Sequence, residues 1–124
     1  MVSKFILHVT SRAAWSAAKH AGQYSADSLR VEGFIHCSKA RQVLRVAESF
    51  FAGQHGLIIL LIDPVRLVPE LRWEPGTDLE TELFPHIYGP INLGAVVEVF
   101  NFEPDAAGKF KLPEALDILK TKKS

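Results

Sequence analysis

The sequence has one cysteine, no net charge, no apolar run of membrane length and no repeat. Each absence removes a class of protein. A lone Cys37 leaves no intrachain disulfide and no thiolate zinc site. Fourteen basic and fourteen acidic side chains cancel. Broad capture of nucleic acid needs a basic surface, so that class is excluded, although a small nucleotide is not. No apolar stretch is long enough to span a bilayer, and Met1 to Thr10 turns polar too quickly for a signal peptide. The expectation is a cytoplasmic protein without membrane contact. No Gly-x-Ser-x-Gly elbow occurs, and no acid is placed to orient a histidine, which disfavours serine hydrolysis.

What remains is ordinary in bulk and unusual in detail. The chain has 124 residues, 48% apolar and 23% charged. That suits one domain over 1–124, large enough to fold without disulfide or metal. Its core is expected over about 4–102, with a helix over 113–120 and a frayed tail over 121–124.

Gly33-Phe34-Ile35-His36-Cys37-Ser38 predicts a short strand entering a helix. Alternation puts Phe34, His36 and Ser38 on one face and Ile35 and Cys37 on the other. The second face suits a core, so Cys37 is expected buried and inert. Lys4 to Thr10 predicts an earlier strand with the same device, His8 and Thr10 sharing a face. Ser38 is expected to cap the helix that follows, roughly Lys39 to Ala52, and Thr10 or Ser11 to cap an alanine-rich helix ending at Gly22. That first helix offers Ala14, Trp15, Ala17, Ala18 and Ala21 for burial. Gln23 to Glu32 predicts a polar connection anchored by Tyr24 and Leu29.

Leu57 to Ile62, stopped by Asp63-Pro64, predicts a central strand covered on both faces. Leu71 and Trp73 alternate with charges, as in a half-exposed strand. Pro75 to Glu82 predicts a loop with solvated acids Asp78, Glu80 and Glu82. Phe84 to Ile91, with two prolines and a glycine, predicts a rigid irregular loop. Ala95 to Phe102 predicts a last strand. About five strands and three helices in mixed order indicate an α+β fold.

His8, His36 and His86 are the candidate catalytic groups. Thr10, Ser38 and Tyr88 are the candidate ligand contacts. Imidazoles and hydroxyls donate and accept hydrogen bonds, which suits ribose and phosphate oxygens. If the two His-x-hydroxyl strands pair, their four side chains converge. Tyr88 offers a ring for stacking. Glu98 is either exposed at a sheet edge or aimed into the pocket. Three histidines from separate elements would also make an open zinc site.

On these motifs the sequence resembles a family of small bacterial proteins, domain of unknown function nine hundred fifty-two. The carriers are His8-x-Thr10, Trp15, Gly33 to Ser38, the Gln42 to Phe51 helix, Leu57 to Asp63, Trp73-Glu74 and Phe84 to Pro90. That family in turn resembles the ADP-ribosyltransferase superfamily, with the RNA 2′-phosphotransferases and small antibiotic-modifying enzymes nearest in pattern. The resemblance implies a split, bent β-sheet flanked by helices, with NAD as the nucleotide ligand. It implies that His8 and Thr10 bind the nicotinamide ribose or carboxamide, and that His36 and Ser38 contact the same end. The superfamily's third motif falls to Glu98, or to His86 and Tyr88. Arg41 and Arg45 have no clear counterpart among its phosphate-gripping arginines. Three functions follow: an enzyme cleaving the nicotinamide–ribose bond or processing a phosphate, a module that binds a nucleotide or nucleic-acid end without turnover, and a three-histidine metal hydrolase.

Overall fold

The apolar run Leu57–Ile62 forms the centre of the fold. A computed structural model describes residues 5–76, 81–117 and 119. In it β1 (Ile6–Ser11), β4 (Leu57–Ile62) and β8 (Val96–Asn101) make an antiparallel sheet with β4 in the middle. One face of β4 sends Ile58, Leu60 and Ile62 into a core with Ala18, Tyr24, Ile35 and Ile87. The other sends Leu57 and Ile59 against Val43, Ala47, Phe102 and Phe110. Cover on both faces is what a continuous apolar strand requires.

The helices are α1 (Arg12–Ala21), α2 (Asp27–Glu32) and α3 (Ala40–Phe50). Ser11 caps α1, its Oγ accepting from the Ala14 amide at 3.0 Å, and Gly22 closes it in the left-handed region. Only Ala14, Trp15 and Ala18 of α1 turn inward; Ala17 and Ala21 are exposed. The stretch Gln23–Glu32 is structured, contrary to the expected connection: β2 (Gln23–Tyr24) pairs with β7 (Ile91–Asn92), and α2 follows. The cap of α3 is Lys39 and not Ser38, with the Gln42 side chain accepting from the Lys39 amide at 2.8 Å. Ser38 is spent on a backbone pair with Leu7, each amide donating to the other's carbonyl at 2.8 Å.

That pair links the first sheet to a second, in which β6 (Leu83–Tyr88) lies between β3 (Ile35–His36) and β5 (Glu70–Pro75). The expected rigid loop over Phe84–Ile91 is therefore largely a strand. Pro85 is tolerated because of where its missing N–H falls. Its carbonyl accepts from the Cys37 amide at 3.0 Å, but it returns no bond, and β3 pairing ends there. Eight strands, three of them two residues long, replace the expected five among the described residues. The α+β class holds. The acid Glu82 is engaged, accepting from Gln42 at 2.7 Å and Arg45 at 2.6 Å. Asp78 and Glu80 lie outside the described residues. So do 118, 120 and the tail 121–124; within the expected last helix, Glu114–Leu116 forms one 3-10 turn.

β6 leaves the sheet at Gly89. A Cβ there would stand 2.8 Å from the ring Cβ of Pro69, which leads into β5. A proline ring does not rotate aside. Gly89→Ala is predicted to cost about 1–3 kcal/mol by overpacking. A urea midpoint equal to that of the native protein would contradict this.

Candidate functional site

Where the two sheets meet, a cleft of about 630 Å³ opens, lined among others by His8, Thr10, Tyr24, His36, Ser38 and His86. Five of the six candidate residues thus face one space. Tyr88 lies outside that lining. The two His-x-hydroxyl strands do not pair as strands; they meet only at Leu7 and Ser38.

His8 is fully committed. Its Nδ1 lies 2.6 Å from the His36 carbonyl oxygen, and its Nε2 lies 2.8 Å from the Tyr24 hydroxyl. A carbonyl only accepts, so Nδ1 carries the proton. Burial lowers the imidazole pKa to about 4, so the ring is neutral near pH 7. Nε2 is then bare, and the Tyr24 hydroxyl donates to it. Tyr24 has one proton, so across the 2.8 Å to Thr10 the threonine hydroxyl is the donor. The proton order is Thr10 to Tyr24 to His8 to the His36 carbonyl. Burial also raises the Tyr24 pKa, which keeps the phenol protonated. Tyr24 was not among the candidates; a single tyrosine in a polar stretch carries no periodic signal.

His36 and His86 each face a carboxylate. The His36 Nε2 lies 3.1 and 3.2 Å from the two Glu32 oxygens, four residues back, at the end of α2. Both side chains are about 40% exposed, so this pair contributes little to stability. His86 is different. It is 2% exposed, its ring is stacked on Phe34 at 4.1 Å, and its Nδ1 lies 2.8 Å from Glu74 Oε1. The same Glu74 oxygen accepts the Tyr88 hydroxyl at 2.6 Å. The Tyr88 hydroxyl, then the imidazole, hold the Glu74 carboxyl below its ordinary pKa, and Glu74 raises that of Tyr88. Glu74 was also missed. On β5 it reads as one of several solvent-facing charges, and only the β5–β6 register sets it beside His86.

No fully buried side-chain nitrogen or oxygen lacks a partner among the described residues. His86 Nε2 and Ser38 Oγ have no protein partner among those residues, so both reach open space in the cleft. Cys37 is buried, and burial pushes its thiol pKa up, as an inert core residue requires. Glu98 is exposed on the outer strand β8 and does not line the cleft, so it fills no third motif there. Arg41 is exposed and Arg45 is bound to Glu82. The three-histidine metal centre fails on geometry: both His8 nitrogens are taken, and no three His, Cys, Asp or Glu side chains gather as ligands among the described residues.

The buried His8 predicts a pH effect on stability. Below pH 6.5 the unfolded chain protonates His8, while the folded protein refuses that proton down to about 4. The contribution is whole above pH 6.5 and is lost as pH falls toward 4, by roughly 2 kcal/mol between pH 6.5 and 5. His8→Asn keeps a donor for the His36 carbonyl but cannot titrate. Urea unfolding across that range should show a shallower pH slope in the variant; equal slopes would refute the assignment.

The fold recurs in known proteins. A family model described as "Protein of unknown function (DUF952)" matches residues 9–99. The crystal structure of protein CC0527 from Caulobacter crescentus is similar at 32% identity and a TM-score of 0.80, over 90% of this chain and 97% of that one. Its solution NMR structure gives 31% identity and a TM-score of 0.77, over 93% and 98%. No curated protein matches. No helix among the described residues is long and apolar enough to cross a membrane. Since that family model spans residues 9–99, most of the chain, the chain belongs to the DUF952 family.

Proposed function

We propose that this domain is an ADP-ribosyltransferase-like enzyme that binds NAD in the cleft and cleaves the bond between nicotinamide and ribose. The observation that carries this reading is one cleft shared by His8, Thr10, His36 and Ser38 at the junction of two small sheets. The resemblance implies a split sheet with a paired motif, and a cleft between two sheets supports that reading. Its volume of about 630 Å³ suits part of a dinucleotide.

Charge decides which part. Asp27 and Glu32 line the cleft, and no lysine or arginine does so among the described residues. A diphosphate would be repelled there, whereas the cationic nicotinamide ring and its ribose would be attracted. The nicotinamide end enters and the diphosphate stays at the mouth. Ser38 supplies a hydroxyl for the ribose, and Thr10, its proton given to Tyr24, serves only as an acceptor. His8 acts as a positioning residue through Tyr24, since its own nitrogens are spent. As the bond to the ring breaks, nicotinamide leaves neutral with the electron pair. Positive charge grows on the ribose, and the Glu32 carboxylate stabilises it.

A second reading, binding without turnover, draws on Glu98, whose place on β8 removes the one glutamate candidate for the third motif. A thermal melt with about 1 mM NAD tests binding. For a Kd of ~0.1 mM the added stability is about 1.4 kcal/mol and the midpoint rises roughly 5 °C. His36→Ala should abolish the rise. Nicotinamide release then separates the enzyme from the binding module. No rise with the native protein would refute NAD as the ligand.

A further inference from the structure

We infer that Glu74 and His86 form a general-base pair, and that the acceptor of the transferred group is a hydroxyl compound or water and not a phosphate. This rests on the NAD reading above and adds the second substrate to it.

The geometry is that of an oriented base. His86 donates its Nδ1–H to Glu74 at 2.8 Å, which in the neutral imidazole fixes the tautomer with Nε2 as the acceptor. Phe34 stacks on the ring at 4.1 Å with an interplanar angle of 19°, which fixes its plane. Nε2 has no protein partner among the described residues, in a ring that is 2% exposed and belongs to a residue lining the cleft. Glu74 stands behind the ring, outside the lining, where the Tyr88 hydroxyl at 2.6 Å anchors it. Glu74 stays ionised because two donors hold its pKa down, so it can stabilise an imidazolium when one forms. The neighbouring His36–Glu32 pair has the same residues but not the same order: it is bifurcated, longer and about 40% exposed.

The acceptor class follows from what the base is for. A phosphate acceptor arrives ionised, needs no base, and needs cations. Among the described residues the lining holds no lysine or arginine and holds two carboxylates, Asp27 and Glu32. A neutral hydroxyl needs the reverse. Its oxygen forms a bond to the ribose carbon as the bond to nicotinamide breaks. Its proton passes to His86 Nε2, and then to solvent. Glu74 is a positioning residue in this step.

The test measures nicotinamide release from NAD with water alone and with ~2 M methanol as a hydroxyl probe, alongside the NAD-dependent rise in melting midpoint. His86→Gln should keep that rise and lose at least ~100-fold in kcat. Glu74→Gln should lose about 10-fold in kcat with an unchanged KM for NAD, which a merely structural role would not give. It also serves if His86→Gln does not fold. Tyr88→Phe, which spares the His86–Glu74 bond, should lose less than either. Methyl ADP-ribose should appear with methanol. Release by His86→Gln or by Glu74→Gln within about threefold of native would overturn the base pair and leave NAD cleavage standing. A native protein that binds NAD but releases no nicotinamide overturns both the catalysis and the base. A native protein with neither rise nor release overturns the NAD reading, and this inference falls with it.

Discussion

The hydrogen bond from His8 Nδ1 to the His36 carbonyl, together with the backbone pair of Leu7 and Ser38, is the joint of this molecule. The two sheets share no strand. They share a core of Ile58, Leu60, Ile35 and Ile87, but among the described residues their backbones bond only where β1 runs past the end of β3. A buried imidazole there is costly unless both nitrogens are satisfied. His8 meets the requirement by giving one proton to the second sheet and accepting one from Tyr24. The cleft is the space that such a joint leaves open. Its shape depends on a polar chain that apolar packing alone would not orient.

The joint also sorts the polar groups by task. His8, Tyr24 and Thr10 bond to one another, and His8 reaches on to the His36 carbonyl, so their loss is first a loss of structure. Ser38 and His86 are equally buried, at 4% and 2% exposed, yet each keeps an atom without a partner among the described residues. A group held rigid with one atom left open is suited to a ligand, because little entropy remains to be lost on binding. Burial by itself does not mark a functional residue here. Burial with one unspent atom does.

Much of this was legible in the chain. The run Leu57–Ile62, the alternation of β1 and the apolar spacing of α3 each carry a local period, and each element formed. The His-x-hydroxyl residues His8, Thr10, His36 and Ser38 line one space, although the two strands do not pair. What failed was non-local. Pro85 and Gly89 suggested a loop over Phe84–Ile91, because a proline normally breaks a ladder. Whether it does depends on which neighbour its missing N–H would have faced, and that is a matter of strand order. Tyr24 and Glu74 failed for the same reason: the bonds that make them matter come from β1 and β6, 14 or 12 residues away.

Pro85 marks where the second sheet lets go of β3. Its missing N–H would have faced the Cys37 carbonyl, so the β3–β6 ladder stops after His36 and only the Cys37 amide remains bonded there, to the Pro85 carbonyl. Successive backbone amides of an extended chain point to opposite sides, so Cys37 is turned to β6 while Ser38 is turned to β1 and pairs with Leu7. Residue 37 thus holds the second sheet and residue 38 the first, and His36, Ser38 and His86 line the cleft beside that switch.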